Sequence, residues 1–287
     1  MAIKKMTVRE LMAKKKTIIC PEAYDALSAL MIEKTGYDMV WITGLGLAGS
    51  ILGVPDIGLT TASDVIRSAA AIAQVVNIPV LCDIDTGFGG ATNVWRTIRE
   101  MEAAGVRGVH MEDQTFPKRC GYLPGKQVIP VEDYLEKLRA AVDARKNKED
   151  FIIVTRTDCK ESEGMDSLIR RLNIYADNGA DLGMSGSLHT FDELKRMTRE
   201  VKIPILAGSP ADPAATTVKQ WEEAGVKIVL YWTSLLFSSM KAQLRTLEML
   251  RTKGSLAQMK EDFISYPEYL DIVKEDWWGK VPGKHKA

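Results

Sequence analysis

The feature that most constrains this chain is a repeat. Short apolar runs rich in β-branched residues recur every few tens of residues, and a longer segment of helical period follows each one. The runs are Thr17 to Cys20, Met39 to Thr43, Pro79 to Asp83, Gly108 to Glu112, Phe151 to Thr155, Asp181 to Met184, Ile203 to Ala207 and Lys227 to Leu230. Helical patterns cover Ala62 to Val76, Thr92 to Ala104, Val131 to Arg145, Met165 to Asn178, Phe191 to Val201 and Pro213 to Ala224. The runs lack polar alternation, which is the pattern of a parallel sheet covered on both faces. Eight β/α units fit an α/β fold, a closed (β/α)8 TIM barrel over residues 1–250 with C-terminal helices, better than an open doubly wound sheet. No Gly-x-Gly-x-x-Gly follows the first run, and Gly44-Leu45-Gly46 after the second has its third glycine misplaced, so a dinucleotide site is disfavoured. Several helices end in Ala104-Gly105, Asn178-Gly179 or Ala224-Gly225, where glycine accepts the left-handed cap.

Composition narrows the function. The 38 basic side chains balance 38 acidic ones, which removes the basic footprint a nucleic-acid partner requires. No stretch of the chain approaches a membrane span, and Met1 to Met6 carries no apolar leader, so a cytoplasmic protein is expected. Cys20, Cys82, Cys120 and Cys159 lie far apart and suggest neither disulfides nor structural zinc. Residues 251–287 form a helical tail with Trp277-Trp278 and a basic end, Lys284-His285-Lys286. Two placements are open for it: on a neighbouring subunit of a homo-oligomer, or back on its own barrel.

Barrel enzymes take their chemistry from the C-terminal ends of strands and the loops beyond. The third run ends in Asp83 and Asp85 before a glycine-rich turn, and the fourth in Glu112 and Asp113. Carboxylates this close repel unless neutralised, and Mg2+ does so with few protein ligands. Helix capping explains one acid per loop but not four on adjacent strand ends. The loop Thr115 to Lys126 reads as a lid; in it Lys118 and Arg119 flank Cys120, and nearby cations favour a reactive thiolate. Arg156 at the fifth strand end is shaped for bidentate capture of a substrate carboxylate, the alternative being a salt bridge to Asp158. Thr43, Gly44 and Leu45 offer a hydroxyl and backbone donors, and Asp56 sits in a turn. His110, His189 and the other cysteines read as structural. Together these describe a small carboxylate substrate held on a cation.

Leu52 to Gly58, Asp83-Ile84-Asp85-Thr86-Gly87-Phe88-Gly89, Glu112-Asp113-Gln114, Pro117-Lys118-Arg119-Cys120-Gly121 and Arg156-Thr157-Asp158 resemble the isocitrate lyase and phosphoenolpyruvate mutase superfamily. The similarity runs from about Pro21 to Leu250 and is closest to the branch of 2-methylisocitrate lyases, dimethylmalate lyases, oxaloacetate hydrolases and carboxyphosphoenolpyruvate mutases. The resemblance implies a barrel whose last helix is exchanged between subunits of a dimer or tetramer. It also implies Mg2+, or Mn2+, near Asp85, with Asp56, Asp83 and Glu112 acting directly or through waters. Thr43, Gly44, Leu45 and Gly121 would bind substrate, Arg156 would hold a carboxylate, and Cys120 would protonate the departing fragment with Lys118 in support. The implied reaction is carbon–carbon cleavage of a branched 2-hydroxy di- or tricarboxylic acid, of the 2-methylisocitrate or 2,3-dimethylmalate type, giving a 2-oxo acid such as pyruvate. The alternatives are a carboxyphosphoenolpyruvate-type phosphonomutase and an oxaloacetate hydrolase or decarboxylase. Two departures stand out: Gly186 and Gly208 occupy places where the lyases carry a glutamate and an asparagine. Those glycines either leave Ser185, Ser187 and Ser209 to make weaker contacts or make room for a bulkier substituent. Lys160 is the one obvious extra cation for phosphonate chemistry.

Overall fold

A computed structural model describes residues 6–209 and 216–279. The eight runs are the strands of a closed parallel barrel, paired in chain order with the last strand against the first. They are β1 (Ile18–Ala23), β2 (Val40–Ile42), β3 (Val80–Asp83), β4 (Gly108–Glu112), β5 (Ile152–Thr157), β6 (Leu182–Ser185), β7 (Ile205–Gly208) and β8 (Ile228–Tyr231). The helices are α1 (Val8–Lys14), α2 (Ala26–Lys34), the short α3 (Gly44–Leu47), α4 (Ala62–Val75), α5 (Ala91–Ala103), α6 (Val131–Ala144), α7 (Lys160–Asp177), α8 (Phe191–Glu200), α9 (Val218–Glu223) and α10 (Ser234–Lys253), then α11 (Tyr266–Ile272) and α12 (Glu275–Gly279) in the tail. Of the expected helix Pro213 to Ala224, the first residues lie outside the described chain, as does Lys284-His285-Lys286. α7 starts earlier than its periodicity indicates because a turn of helix precedes a break at Gly164, φ 81°. Gly105 and Gly179, both at φ 94°, adopt the left-handed conformation that their place after a helix requires. No helix among the described residues is long and apolar enough to cross a membrane.

Alternation along the strands sorts the core into two layers. Ile18 and Cys20, Met39 and Trp41, Ile152 and Val154, Leu182 and Met184, Ile228 and Leu230 fill the barrel interior. Val8 and Leu11 of α1 join that cluster. A capping box fixes the start of α1: Thr7 Oγ1 accepts from Glu10 N–H, and Glu10 accepts from Thr7 N–H. The opposite strand faces pack beneath the helices in a second, larger cluster. Carried one step further, the inward alternation brings Glu22, Thr43, Asp83, Glu112, Arg156 and Trp232 to the C-terminal mouth.

The last helices depart from this packing. Only Leu236 of α10 is buried, while Phe237, Met240, Leu244, Leu247 and Leu250 form an exposed stripe along the helix. Beside it on the barrel runs an open groove of about 610 Å³, lined by Ile19, Met31, Tyr37, Val218, Tyr231 and Leu235. The described part of the tail returns to its own barrel helices, where Lys274 Nζ donates to Glu33 Oε2 of α2 at 2.8 Å and to Val75 O of α4 at 3.0 Å. Trp277 and Trp278 pack on each other edge to face and stay more than half exposed.

Candidate active site

Strand register brings the site together. Asp83 on β3 lies opposite His110 on β4, and Glu112 lies opposite Arg156 on β5. His110 Nδ1 is 3.1 Å from Asp83 Oδ1, and Arg156 Nη1 is 3.1 Å from Glu112 Oε2. Past the end of β3 the chain turns sharply at Asp85, a non-glycine residue at φ 50°, whose N–H donates to Asp83 Oδ1. Gly44 lies close above these acids: a Cβ there would stand 3.1 Å from Asp83 Oδ2 and 3.4 Å from Asp85 Oδ1. Thr43 caps the short α3 by accepting from Gly46 N–H.

The Thr115 to Lys126 loop lies down over the mouth. Gln114 holds it at both ends of its amide: Arg119 N–H donates to Oε1 and Nε2 donates to Arg119 O. Cys120 N–H donates to Asp56 O, and Lys126 Nζ donates to Gly121 O. Lys118 is thereby buried between two acids, its Nζ 2.5 Å from Asp56 Oδ1 and 2.6 Å from Asp85 Oδ1. Burial opposes its charge, but Asp85, Glu112, Asp56 and Asp83 outweigh that and keep it protonated. A cavity of about 30 Å³ remains, lined on one side by Thr43, Leu45, Asp56, Asp83 and His110, and on the other by Tyr122, Met184, Leu230 and Trp232. Trp41, Cys120, Gly121, Arg156 and Thr233 complete it.

Electrostatics divides the acids. Burial would raise Asp83, but His110, Lys118 and Arg156 hold it below the ordinary carboxylate range. Burial pushes Asp85 up to about 6, with Lys118 opposing and the neighbouring Asp83 and Asp56 adding. Glu112 is raised for the same first reason, against Arg156 and Lys118. Asp85 Oδ1 and Glu112 Oε2 have only the ion pairs to Lys118 and Arg156, and Glu112 Oε1 accepts no hydrogen bond from the described residues. Such buried acceptors call for a cation. Among the described residues no three acidic, histidine or cysteine side chains form an all-protein metal cage. That is no obstacle to Mg2+, which takes one or two carboxylates and keeps several waters. The donor set fits a hydrated Mg2+.

The geometry corrects four sequence expectations. Arg156 directs the two N–H groups of its fork, Nε and Nη2, to Asp158 at 2.9 and 3.0 Å, so only single donors remain for a substrate. Cys120 is not poised as a thiolate: burial raises its pKa and, with Asp56 adding, outweighs the Tyr122 backbone, Lys118 and Arg156, which lower it. Asp113 points away from the mouth, as its neighbour Glu112 points in; it accepts from Tyr175 Oη at 2.9 Å and from Asp158 N–H at 3.0 Å. The glycines make no room. A Cβ on Gly186 would lie 1.9 Å from Asp158 Oδ1, and one on Gly208 would lie 2.6 Å from the Trp232 ring. Ser185, Ser187 and Ser209 do not line the cavity.

Three residues were missed or misjudged. His110, read as structural, lines the cavity and bonds Asp83. Glu22 is fully buried two residues beyond Cys20, and burial, only partly opposed by Thr43, pushes its pKa up to about 8. A charged residue in phase with Ile18 and Cys20 was the available signal. Trp232 had none. His189 lies outside the site in a separate cavity, and burial lowers its pKa to about 4.

Known proteins match over nearly the whole chain. The phosphoenolpyruvate phosphomutase family model covers residues 8–251. The chain is 36% identical over 270 residues to a 2-methylisocitrate lyase of Aeropyrum pernix, covering 93% of this chain and 86% of that protein. It is 35% identical over 268 residues to a 2,3-dimethylmalate lyase of Eubacterium barkeri, covering 93% and 92%. The solved structure of an oxaloacetate acetylhydrolase with 3,3-difluorooxalacetate superposes with a TM-score of 0.90 at 30% identity, over 96% of this chain and 94% of that one. A phosphonopyruvate hydrolase solved with oxalate and Mg2+ gives 0.87 at 27% identity, over 98% and 99%. The chain therefore belongs to the phosphoenolpyruvate phosphomutase family, within the superfamily that family shares with isocitrate lyase.

Proposed function

We propose that the protein is a Mg2+-dependent carbon–carbon lyase that cleaves a branched 2-hydroxy dicarboxylic acid to a 2-oxo acid such as pyruvate. The observation that carries this reading is the meeting, at one mouth, of buried acids, among them Glu112 with an oxygen that accepts no hydrogen bond from the described residues, with a protonated thiol on the cavity wall. Asp83, Asp85 and Glu112 would hold Mg2+ or Mn2+, in part through waters. The ion would supply the positive charge that stabilises an oxyanion as the bond breaks.

The chain's own residues account for the rest. Thr43, Gly44 and Leu45 lie against the acids and position the 2-oxo acid end. The remaining Arg156 donors, with Gly121 close by, orient the carboxylate of the departing fragment. The hydroxyl proton would pass to His110 Nε2, which has no partner among the described residues and belongs to a ring on the cavity wall, and the bond's electron pair would stay on the departing carbon beside its carboxylate. Cys120 delivers the proton that quenches it, a task that suits a thiol kept protonated by burial. Lys118 neutralises Asp56 and Asp85 while the lid is down.

The mutase alternative loses its candidate cation, because Lys160 Nζ donates to Leu188 O and Glu193 Oε2 away from the cavity. Oxaloacetate hydrolysis stays as a second reading because the cavity is small. Release of 2-oxo acid, assayed with and without Mg2+ across 2,3-dimethylmalate, other 2-alkylmalates, 2-methylisocitrate and oxaloacetate, decides between them. Metal-dependent pyruvate from a hydroxy acid supports the lyase, and oxalate from oxaloacetate supports the hydrolase.

We also assign the open groove beside α10 to the matching helix of a second copy of the chain, which would cover the exposed stripe on both. A monomer by sedimentation at micromolar concentration would contradict this.

A further inference from the structure

The two halves of the cavity wall differ in chemistry, and the half away from the acids is closed by a side chain from β8. Trp232 follows the inward alternation of Ile228 and Leu230, and its indole lies across Gly208. The ring is fixed on three sides. Nε1 donates to Ser209 O at 2.7 Å, Tyr122 of the lid packs on it with ring centres 5.2 Å apart, and Gly208 lies beneath it. The next residue, Thr233, is β-branched yet sits at φ 68°, a conformation rare for such a side chain. That turn directs the chain away into α10 while Trp232 points into the cavity.

Across from it the place of a side chain at Gly186 is filled by the Arg156–Asp158 pair. Met184, Leu230, Tyr122 and Thr233 make the remaining wall. Among the described residues Arg156 is the only arginine or lysine lining the cavity, and part of its fork is already engaged. A departing fragment with one carboxylate finds one cation there. A second carboxylate would meet no further cation there, only the indole, Met184, Leu230 and the neutral side chains of Tyr122 and Thr233.

We propose that Trp232 sets substrate specificity by filling the space in front of Gly208, restricting the enzyme to 2-hydroxy dicarboxylates whose departing fragment carries a short apolar branch and excluding tricarboxylates. The proposal deepens the lyase reading and rests on it. Opening a tightly filled subsite changes discrimination by about tenfold or more, since one methylene in a shaped pocket is worth 10- to 200-fold.

The test compares 2,3-dimethylmalate with 2-methylisocitrate in the full-length protein with Mg2+. Turnover is measured as kcat/KM, and binding is measured by calorimetry in a Cys120→Ser background so that affinity is read without cleavage. The native chain should favour the dicarboxylate strongly. Trp232→Ala should reduce that preference about tenfold, mainly through KM and Kd for the tricarboxylate, and Trp232→Phe should move it the same way by less. Gly208→Asn alone should weaken both ligands because it collides with the indole. Combined with Trp232→Ala it should bind 2-methylisocitrate better than Trp232→Ala does. An unchanged preference in both Trp232 variants, with oxalate and Mg2+ still bound, overturns the role of Trp232. Failure of the native chain to bind oxalate with Mg2+ overturns the lyase reading and this proposal with it.

Discussion

The mouth of the barrel has two unlike halves. The ends of β2 to β5 carry Asp56, Asp83, Asp85, Glu112, Lys118 and Arg156, a network of ion-paired charges in which Glu112 keeps an oxygen that accepts no hydrogen bond from the described residues. The ends of β6 to β8 carry Gly186, Gly208, Met184, Leu230 and Trp232, with no charge of their own. The first half is built for charge that develops during a reaction, which fixed ions and dipoles stabilise without reorganising. The second is built for shape. On the proposed reading, chemistry and selectivity are carried by different strands, so each could be changed without the other.

Several variants would break that division. The largest effect belongs to Asp85→Ala, which removes a carboxylate from the proposed metal site and one of the two partners of buried Lys118. Metal-dependent turnover should fall by at least about a thousandfold. Full activity in a folded Asp85→Ala protein would show that the acidic half has no catalytic part. Next comes Cys120→Ser, expected to lose about 10²- to 10⁴-fold in kcat while still binding oxalate with Mg2+ by calorimetry. If kcat is untouched, the proton comes from elsewhere.

Glu22 gives a pH signature at the border of the halves. Its folded pKa of about 8 lies above the ordinary 4.5, so below pH 4.5 it is protonated in both states and folding pays no penalty. As pH rises from there through 8, the unfolded chain ionises first and stability is lost. Glu22→Gln should therefore be the more stable protein at pH 8, by up to about 4 kcal/mol, with the advantage vanishing toward pH 4.5. Urea midpoints of the two proteins at several pH values give the comparison, and parallel curves would contradict a buried neutral Glu22. The smallest effect is Lys160→Ala. Its ammonium is held by Leu188 O and Glu193, so kcat/KM should change less than about threefold. A large loss in that variant would return a cation to the neutral half and revive phosphonate chemistry.

Much of this was legible before any coordinates. β4 occupies Gly108–Glu112 as expected, and the other strands overlap their runs, because a strand buried on both faces must be locally apolar. Asp83, Asp85 and Glu112 could be placed at the mouth from strand ends alone. Arg156 and Cys120 were placed there too, but their states were misjudged. Sequence proximity puts Lys118 beside Cys120, whereas the fold hands Lys118 to Asp56 and Asp85 and buries the thiol. His110 looked structural because its partner, Asp83, belongs to another strand.

What the sequence determined by itself is the barrel and its rim, since period, apolar runs and strand-end acids are local properties. What only the tertiary structure decided is who faces whom across the mouth. Gly208 and Trp232 sit on neighbouring strands but 24 positions apart, and the positive φ at Thr233 helps set their meeting. Asp158 fills the place before Gly186 because Arg156 turns its fork upon it. The physical reason is that register and burial, which link residues distant in the chain, determine both the free space in a pocket and the charge state of the groups that line it.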